Sequence, residues 1–218
     1  MTRIILIFCA AILAYGQNGL AVSDFGTVAE PENHAVAVDR LMRYHDSGEY
    51  ESQIRQVVNS AAVYLRERAM RGPAEKMAAV FDIDETSLSN WDVMADCGFC
   101  AYKFQAKRAG EAIAPTLELF NFAKSLGVYV FFVTGRQNKE RADTMKNLTD
   151  VGYSGWTDLY MQTDGTTDPA RIFKPRNRRD IESKGYRVVL SIGDQASDLA
   201  GCCAERVFKV PNPFYLVK

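Results

Sequence analysis

Three short apolar runs in this chain each stop abruptly at acidic or hydroxyl-bearing residues, and that recurrence limits the fold more than any other feature. Ala78-Ala79-Val80-Phe81 ends at Asp82-Ile83-Asp84-Glu85-Thr86. Val128-Tyr129-Val130-Phe131-Phe132-Val133 ends at Thr134-Gly135-Arg136, and Val188-Val189-Leu190-Ser191-Ile192 ends at Gly193-Asp194, with Asp198 shortly after. Runs of this length, rich in β-branched and aromatic residues, read as buried strands. Helical patterns separate them from residue 77 onward, and that alternation predicts an α/β fold with a doubly wound parallel sheet. In such a sheet the carboxyl ends of the strands share one edge, where ligands bind. Asp82, Asp84, Thr134, Asp194 and Asp198 are thus expected in one place. Clustered carboxylates repel unless a cation sits among them, and hard oxygen donors suit Mg²⁺. The expected chemistry is metal-assisted phosphoryl transfer.

The chain of 218 residues is the length of one domain with a modest extension. A net charge of −1 supplies no basic field for a nucleic acid polymer and no polybasic membrane patch. At the start, Arg3 precedes the apolar stretch Ile4 to Ala14, and small residues follow around Gly19 to Ser23. This is the pattern of a secretory signal over residues 1–22, too short for a membrane span of about 20 apolar residues. The expectation is an exported protein, periplasmic or secreted, with no stable span once the signal is removed. Removal leaves Cys97, Cys100, Cys202 and Cys203, an even number that fits disulfides with three connectivities. Adjacent cysteines rarely bond each other, so a link from Cys202 or Cys203 toward Cys97 or Cys100 is one expectation. A local bond or free thiols are the others.

Residues 23–75 read as a helical extension. Apolar positions from Val38 to Leu65 recur at helical spacing, with a break at Ser47-Gly48, and Gly72-Pro73 ends the pattern. His34 and His45 fall here and suit a surface or core helix better than catalysis. The catalytic domain is assigned to 76–218, with a small cap-like insertion about 88–112 carrying Trp91, Phe99, Tyr102 and Phe104. Those aromatics either stack on a substrate ring or form the core of a small flap, and Trp91, nearest the first motif, is the candidate for substrate contact. Asn147-Leu148-Thr149 has the form of a glycosylation sequon and is read as chance. Pro175 suits the first turn of a helix, so Lys174 is expected just before a helix running to Lys184.

Phosphoryl transfer needs a nucleophile, a proton donor for the leaving group and positive charge on the phosphoryl oxygens. Asp82 at its strand end is placed to attack phosphorus, and Asp84 to protonate the leaving oxygen and then to deprotonate water. Thr134 and Gly135 offer hydrogen bonds to a phosphoryl oxygen, and Lys174 offers a compact positive charge. Arg136 either touches phosphate or pairs with a carboxylate. Asp82 and Asp194 supply carboxylates to the metal and Asp84 its backbone carbonyl, with Asp198 supporting it directly or through water. Lys184 competes for the cationic role, but a lysine at a helix C-terminus is explained by the dipole.

Asp82-Ile83-Asp84-Glu85-Thr86, Val133-Thr134-Gly135-Arg136, Lys174 and Gly193-Asp194-Gln195-Ala196-Ser197-Asp198 resemble, in order, the four motifs of the haloacid dehalogenase superfamily. Within it the chain resembles exported acid phosphatases related to class B and to plant vegetative storage proteins. Support comes from the helical lead-in around Tyr44 to Tyr64, from Gly152-Tyr153 with Trp156, and from Pro211-Asn212-Pro213-Phe214-Tyr215. The resemblance implies a Mg²⁺-dependent phosphomonoesterase acting on small phosphomonoesters, nucleotides among them, with Asp82 as nucleophile and Asp84 as acid/base. It leaves a homo-oligomer open. Three rivals are weighed beside it: a catalytically weak storage or binding protein of the same fold, a phosphotransferase to hydroxyl acceptors, and a thiol-redox protein built on Cys97 and Cys100.

Overall fold

The computed structural model describes residues 31–72, 75–99, 110–166 and 168–217. The predicted signal segment, Cys100, Tyr102 and Phe104 therefore lie outside the described residues. Two helices come first, α1 (His34–Asp46) and α2 (Glu49–Met70), broken at Gly48, whose left-handed backbone ends one helix and admits the next. The remaining elements are β1 (Lys76–Phe81), β2 (Leu88–Ser89), α3 (Trp91–Asp96), β3 (Glu111–Ala112), α4 (Ala114–Ser125), β4 (Tyr129–Gln137), α5 (Arg141–Asp150), β5 (Asp158–Gln162), α6 (Ala170–Ser183), β6 (Tyr186–Gly193), α7 (Ala196–Leu199) and β7 (Arg206–Lys209).

Five strands form one parallel sheet in the order β5-β4-β1-β6-β7. The order doubles back at β1, flanked by β4 and β6, so three strand ends meet at the switch point where α/β ligands bind. Side chains alternate across β1, as a period of two requires. Ala79 and Phe81 join a core with Leu65 of α2 and Phe120 of α4, whereas Ala78 and Val80 join Phe173 and Ile181 of α6. Burial on both faces explains why these strands read as unbroken apolar runs. β2 and β3 pair antiparallel as a small hairpin carrying α3. No helix among the described residues is long and apolar enough to cross a membrane.

Two expectations are corrected. α6 begins at Ala170, so Lys174 lies inside the helix and Pro175 is an interior proline. Proline fits a first turn because its missing N–H costs nothing there; at Pro175 the helix instead forgoes one backbone bond. Cys202 and Cys203 are bonded to each other, their Cα atoms 3.7 Å apart. Cys203 has φ of 72°, a left-handed backbone that lets the chain turn within the bonded pair. Asn147 is buried in α5 and its amide donates to the Gly110 carbonyl, which takes the sequon out of reach of a glycan.

Candidate active site at the carboxyl edge of the sheet

Asp82 directly follows β1, and its N–H still donates to Ile192 O of β6 at 3.0 Å. The Ser87 hydroxyl binds the Asp82 carbonyl at 2.6 Å. Backbone on both sides of the carboxylate is thereby fixed. β6 ends at Gly193, so Asp194 is presented beside Asp82, and the first turn of α7 brings back Asp198. One carboxylate oxygen from each of Asp82, Asp194 and Asp198 lies within 4.8 Å of the others, and all three residues are buried. Lys174 enters from α6, its ammonium bonded to Asp82 and lying 3.1 Å from Asp198 Oδ1.

This crowding sets the protonation. Burial pushes Asp82 well above the usual carboxylate range, and the charges of Asp198, Asp194 and Asp84 add to it; Lys174 offsets only part. Burial likewise raises Asp194 to about 6, helped by Asp198. Burial works against the charge on Lys174, but Asp198 and Asp82 outweigh it and hold the ammonium protonated. Fully ionised, the three carboxylates would carry more negative charge than one ammonium neutralises, and the metal-free site answers by holding protons. Hard oxygen donors in that condition fit a divalent cation.

Asp84 leaves the cluster and meets Arg136, whose Nη2 reaches Asp84 Oδ1 at 2.6 Å and whose Nε lies 3.1 Å from Oδ2. Asn90 donates to the same Oδ1 at 3.0 Å. Burial would raise this carboxyl, yet the Arg136 charge and the donors together hold it below its ordinary value. Arg136 therefore pairs with a carboxylate, one of its two expected roles. β4 carries it there: pairing with β5 shifts between Val133 and Gln137, and irregularities of this kind re-aim side chains beside sites. Within that stretch Thr134 Oγ1 accepts the Arg136 N–H at 3.1 Å. A cavity of about 180 Å³ is lined by Asp82, Asp84, Gly135, Lys174, Asp194 and Asp198, together with Gln195, Tyr215 and Val217.

Trp91 lies outside that lining. Its ring stacks on His45 of α1 at 3.6 Å between centroids and packs against Phe99 and Phe214. It borders a neighbouring cavity of about 340 Å³ with Ser89, Asn90 and Glu111. Lys184 is remote from the cluster, bonded to Asp180 and the Tyr160 hydroxyl on the surface.

Several residues at the site are absent from the sequence-based set. The Thr86 hydroxyl lies 3.2 Å from Asp194 Oδ1 and 3.4 Å from Asp82 Oδ2. Gln195 Nε2 and Asn212 Nδ2 each donate to Asp194 Oδ2 at 2.6 Å. Thr86 and Gln195 were legible as hydrogen-bonding neighbours of the acids. Asn212 and Tyr215, far along the chain, carried only the signal of the Pro-Asn-Pro turn.

Comparison with known proteins agrees with this geometry. The family model described as HAD superfamily, subfamily IIIB (acid phosphatase) matches residues 14–218. Acid phosphatase 1 of Solanum lycopersicum is 30% identical over 189 residues, covering 82% of this chain and 74% of that protein. A stem 28 kDa glycoprotein of Glycine max is 32% identical over 206 residues, covering 89% and 79% respectively. The crystal structure of the class C acid phosphatase from Bacillus anthracis with tungstate bound shares the fold, with a TM-score of 0.69 and 23% identity over 84% of this chain and 85% of that one. A match running almost end to end, over a parallel sheet with buried acids at its switch point, places the chain in the subfamily IIIB acid phosphatases of the HAD superfamily, as a phosphomonoesterase.

Proposed function

We propose that this phosphatase hydrolyses small phosphomonoesters, nucleotides among them, with Mg²⁺ as cofactor and an aspartyl-phosphate on Asp82 as intermediate. The observation that carries the reading is the buried triad Asp82, Asp194 and Asp198 with Lys174, among the described residues, the one cation bonded to it. Asp82, Asp194, Asp198 and the Asp84 carbonyl would hold the ion. When bound, it would neutralise these carboxylates and the phosphoryl oxygens together.

The chain's own residues supply the remainder. An Asp82 oxygen attacks phosphorus, and the bond to the leaving oxygen breaks as Asp84 gives that oxygen a proton. Asp84 then takes a proton from water, whose oxygen attacks phosphorus, and the Asp82–phosphorus bond breaks to release phosphate. Arg136 keeps Asp84 ionised in the resting site; an arriving phosphate dianion competes for that guanidinium, and loosening the pair lets burial push Asp84 up to the acid form. Lys174, Thr134 and Gly135 hold the phosphoryl oxygens, and Trp91 flanks the leaving-group side. Residues 23–75 act as a helical extension to a catalytic domain over 76–218, with a cap-like insertion about 88–112, and the protein works outside the cytoplasm after export.

Phosphate release from p-nitrophenyl phosphate and from a nucleoside monophosphate, with Mg²⁺ and with EDTA, tests this. Turnover restored by Mg²⁺ after chelation is expected for both. Turnover indifferent to chelation overturns the metal assignment, and none under either condition in a folded sample favours a storage role. In a set of Asp82 variants, Asp82→Asn should lose at least about 10³-fold in kcat with the melting temperature kept, since the nucleophile acts as one unit with its neighbours.

A further inference from the structure

The Pro211-Asn212-Pro213 turn reaches the acidic cluster from the far end of the chain. We propose that Asn212 is a positioning residue for Asp194, holding one oxygen of that carboxylate so that the other stays open to a divalent cation; the proposal rests on reading the Asp82, Asp194 and Asp198 triad as a cation site.

The orientation of the Asn212 amide is determined by its partners. Its Oδ1 accepts the N–H groups of Phe214 at 2.9 Å and Tyr215 at 3.4 Å. Only the oxygen end serves two backbone donors, so the nitrogen end faces Asp194, where Nδ2 meets Oδ2 at 2.6 Å. Proline on either side stiffens this turn, because each fixes its own φ and Pro213 biases Asn212 toward extended backbone. Gln195 gives Oδ2 a second donor at 2.6 Å. The other oxygen, Oδ1, takes the Thr86 hydroxyl at 3.2 Å, which also reaches Asp82 Oδ2 at 3.4 Å, and the Asp194 carboxyl pairs with that of Asp82 besides. A carboxylate with two amide donors on one oxygen and its other oxygen on the side shared with Asp82 through Thr86, in a residue 2% exposed, is held toward the acids of the triad. Carboxylates that bind metals are commonly held by such outer donors.

The tail is itself anchored, so the donor does not drift. Phe214 packs on Tyr50 of α2, on Trp91 and on Phe99, with ring centroids 5.1, 5.3 and 5.6 Å away. Gln195 closes the other end, accepting the Val217 N–H at 3.1 Å and donating to Tyr215 O at 3.4 Å. Asn212 thus transmits the seating of the tail on the helical extension to one acid of the triad.

Isothermal titration of the full chain with Mg²⁺ alone separates this role from simple turn capping. Asn212→Ser keeps a side-chain acceptor for the backbone but loses the donor to Asp194. Its Kd for Mg²⁺ should rise about 10- to 100-fold, the usual cost of losing an outer-shell partner, while KM at saturating Mg²⁺ stays near wild type. Pro213→Ala, which loosens the turn and leaves the amide, controls for structure through the metal-free melting temperature. If Asn212→Ser binds Mg²⁺ like wild type while Asp194→Asn has lost it, Asn212 is only a turn cap. If Pro213→Ala weakens binding as much at an equal melting temperature, the effect is structural and the proposal falls. If wild type gives no Mg²⁺ binding and Asp194→Asn matches it, the triad reading fails first.

Discussion

Asp84 and Glu85 are neighbours in the chain, yet their carboxyls sit far apart on the proton scale. Arg136 holds Asp84 down despite burial, whereas Glu85 is wholly enclosed and burial raises it to about 8 even though Asn90 donates to it from both backbone and side chain. Among the described residues its Oε2 has no hydrogen-bond partner, and its backbone is left-handed at φ of 54°. A carboxyl raised in the folded state holds its proton more tightly there than in the unfolded chain. Its contribution is therefore favourable below about 4.5, the unfolded value, and is lost as pH rises toward about 8. Glu85→Gln removes this titration while keeping the acceptor for Asn90. Chemical denaturation across pH 5 to 8.5 should show the variant gaining on wild type by a few kcal/mol over that range, at about 1.4 kcal/mol for each pH unit, then levelling off. Parallel curves for the two proteins would mean that Glu85 is ionised in the folded state.

At the scale of elements, the site depends on how tightly α7 folds back on the end of β6. Asp198 caps that helix, its carboxylate accepting the Gln195 N–H at 2.9 Å. A Cβ built on Gly193 would lie 2.7 Å from Asp198 Cβ and 2.8 Å from its Oδ2. The side chain of Asp198 thus occupies the space that any residue but glycine would fill. Gly193→Ala should displace Asp198 from Lys174 and lower kcat by at least about tenfold, given that misplacements near 1 Å cost up to 10²; steady-state kinetics with circular dichroism checks it, and an unchanged kcat in the folded variant would free Asp198 of its assigned part. β1, β4 and β6 were legible because strands buried on both faces leave uninterrupted apolar runs, and the turn residues at their ends named the acids. The four residues of α7 are too few to show a period, and Pro175 signalled a first turn although a helix already under way carries it. Contacts distant in sequence left no local pattern: the stacking of His45 on Trp91 and the reach of Asn212 to Asp194 exist only once α1, the insertion and the tail are folded together.

For the whole molecule, the acidic cluster trades stability for a binding site. Asp82 and Asp194 are both raised in the folded, metal-free protein, the latter to about 6. The folded state then binds protons more tightly than the unfolded one, so the metal-free protein loses stability as pH climbs from the ordinary carboxylate range through about 6. A cation relieves that repulsion but must displace the same protons, so its affinity grows with pH. At a concentration of 100 times Kd, a ligand bound only by the folded state adds about 2.7 kcal/mol, which in a domain of this size raises Tm by roughly 5–10 °C. Thermal melts at fixed Mg²⁺ should show a shift of that order at pH 7.5 and a clearly smaller one at pH 5, with the metal-free baseline moving in the opposite sense. Asp194→Asn should flatten both trends, because it removes one of the groups for which proton and cation compete. A Mg²⁺ shift equal at the two pH values would show that the ion binds away from these carboxylates. A metal-free protein no less stable at pH 7.5 than at pH 5 would show that Lys174 already balances the charge of the triad.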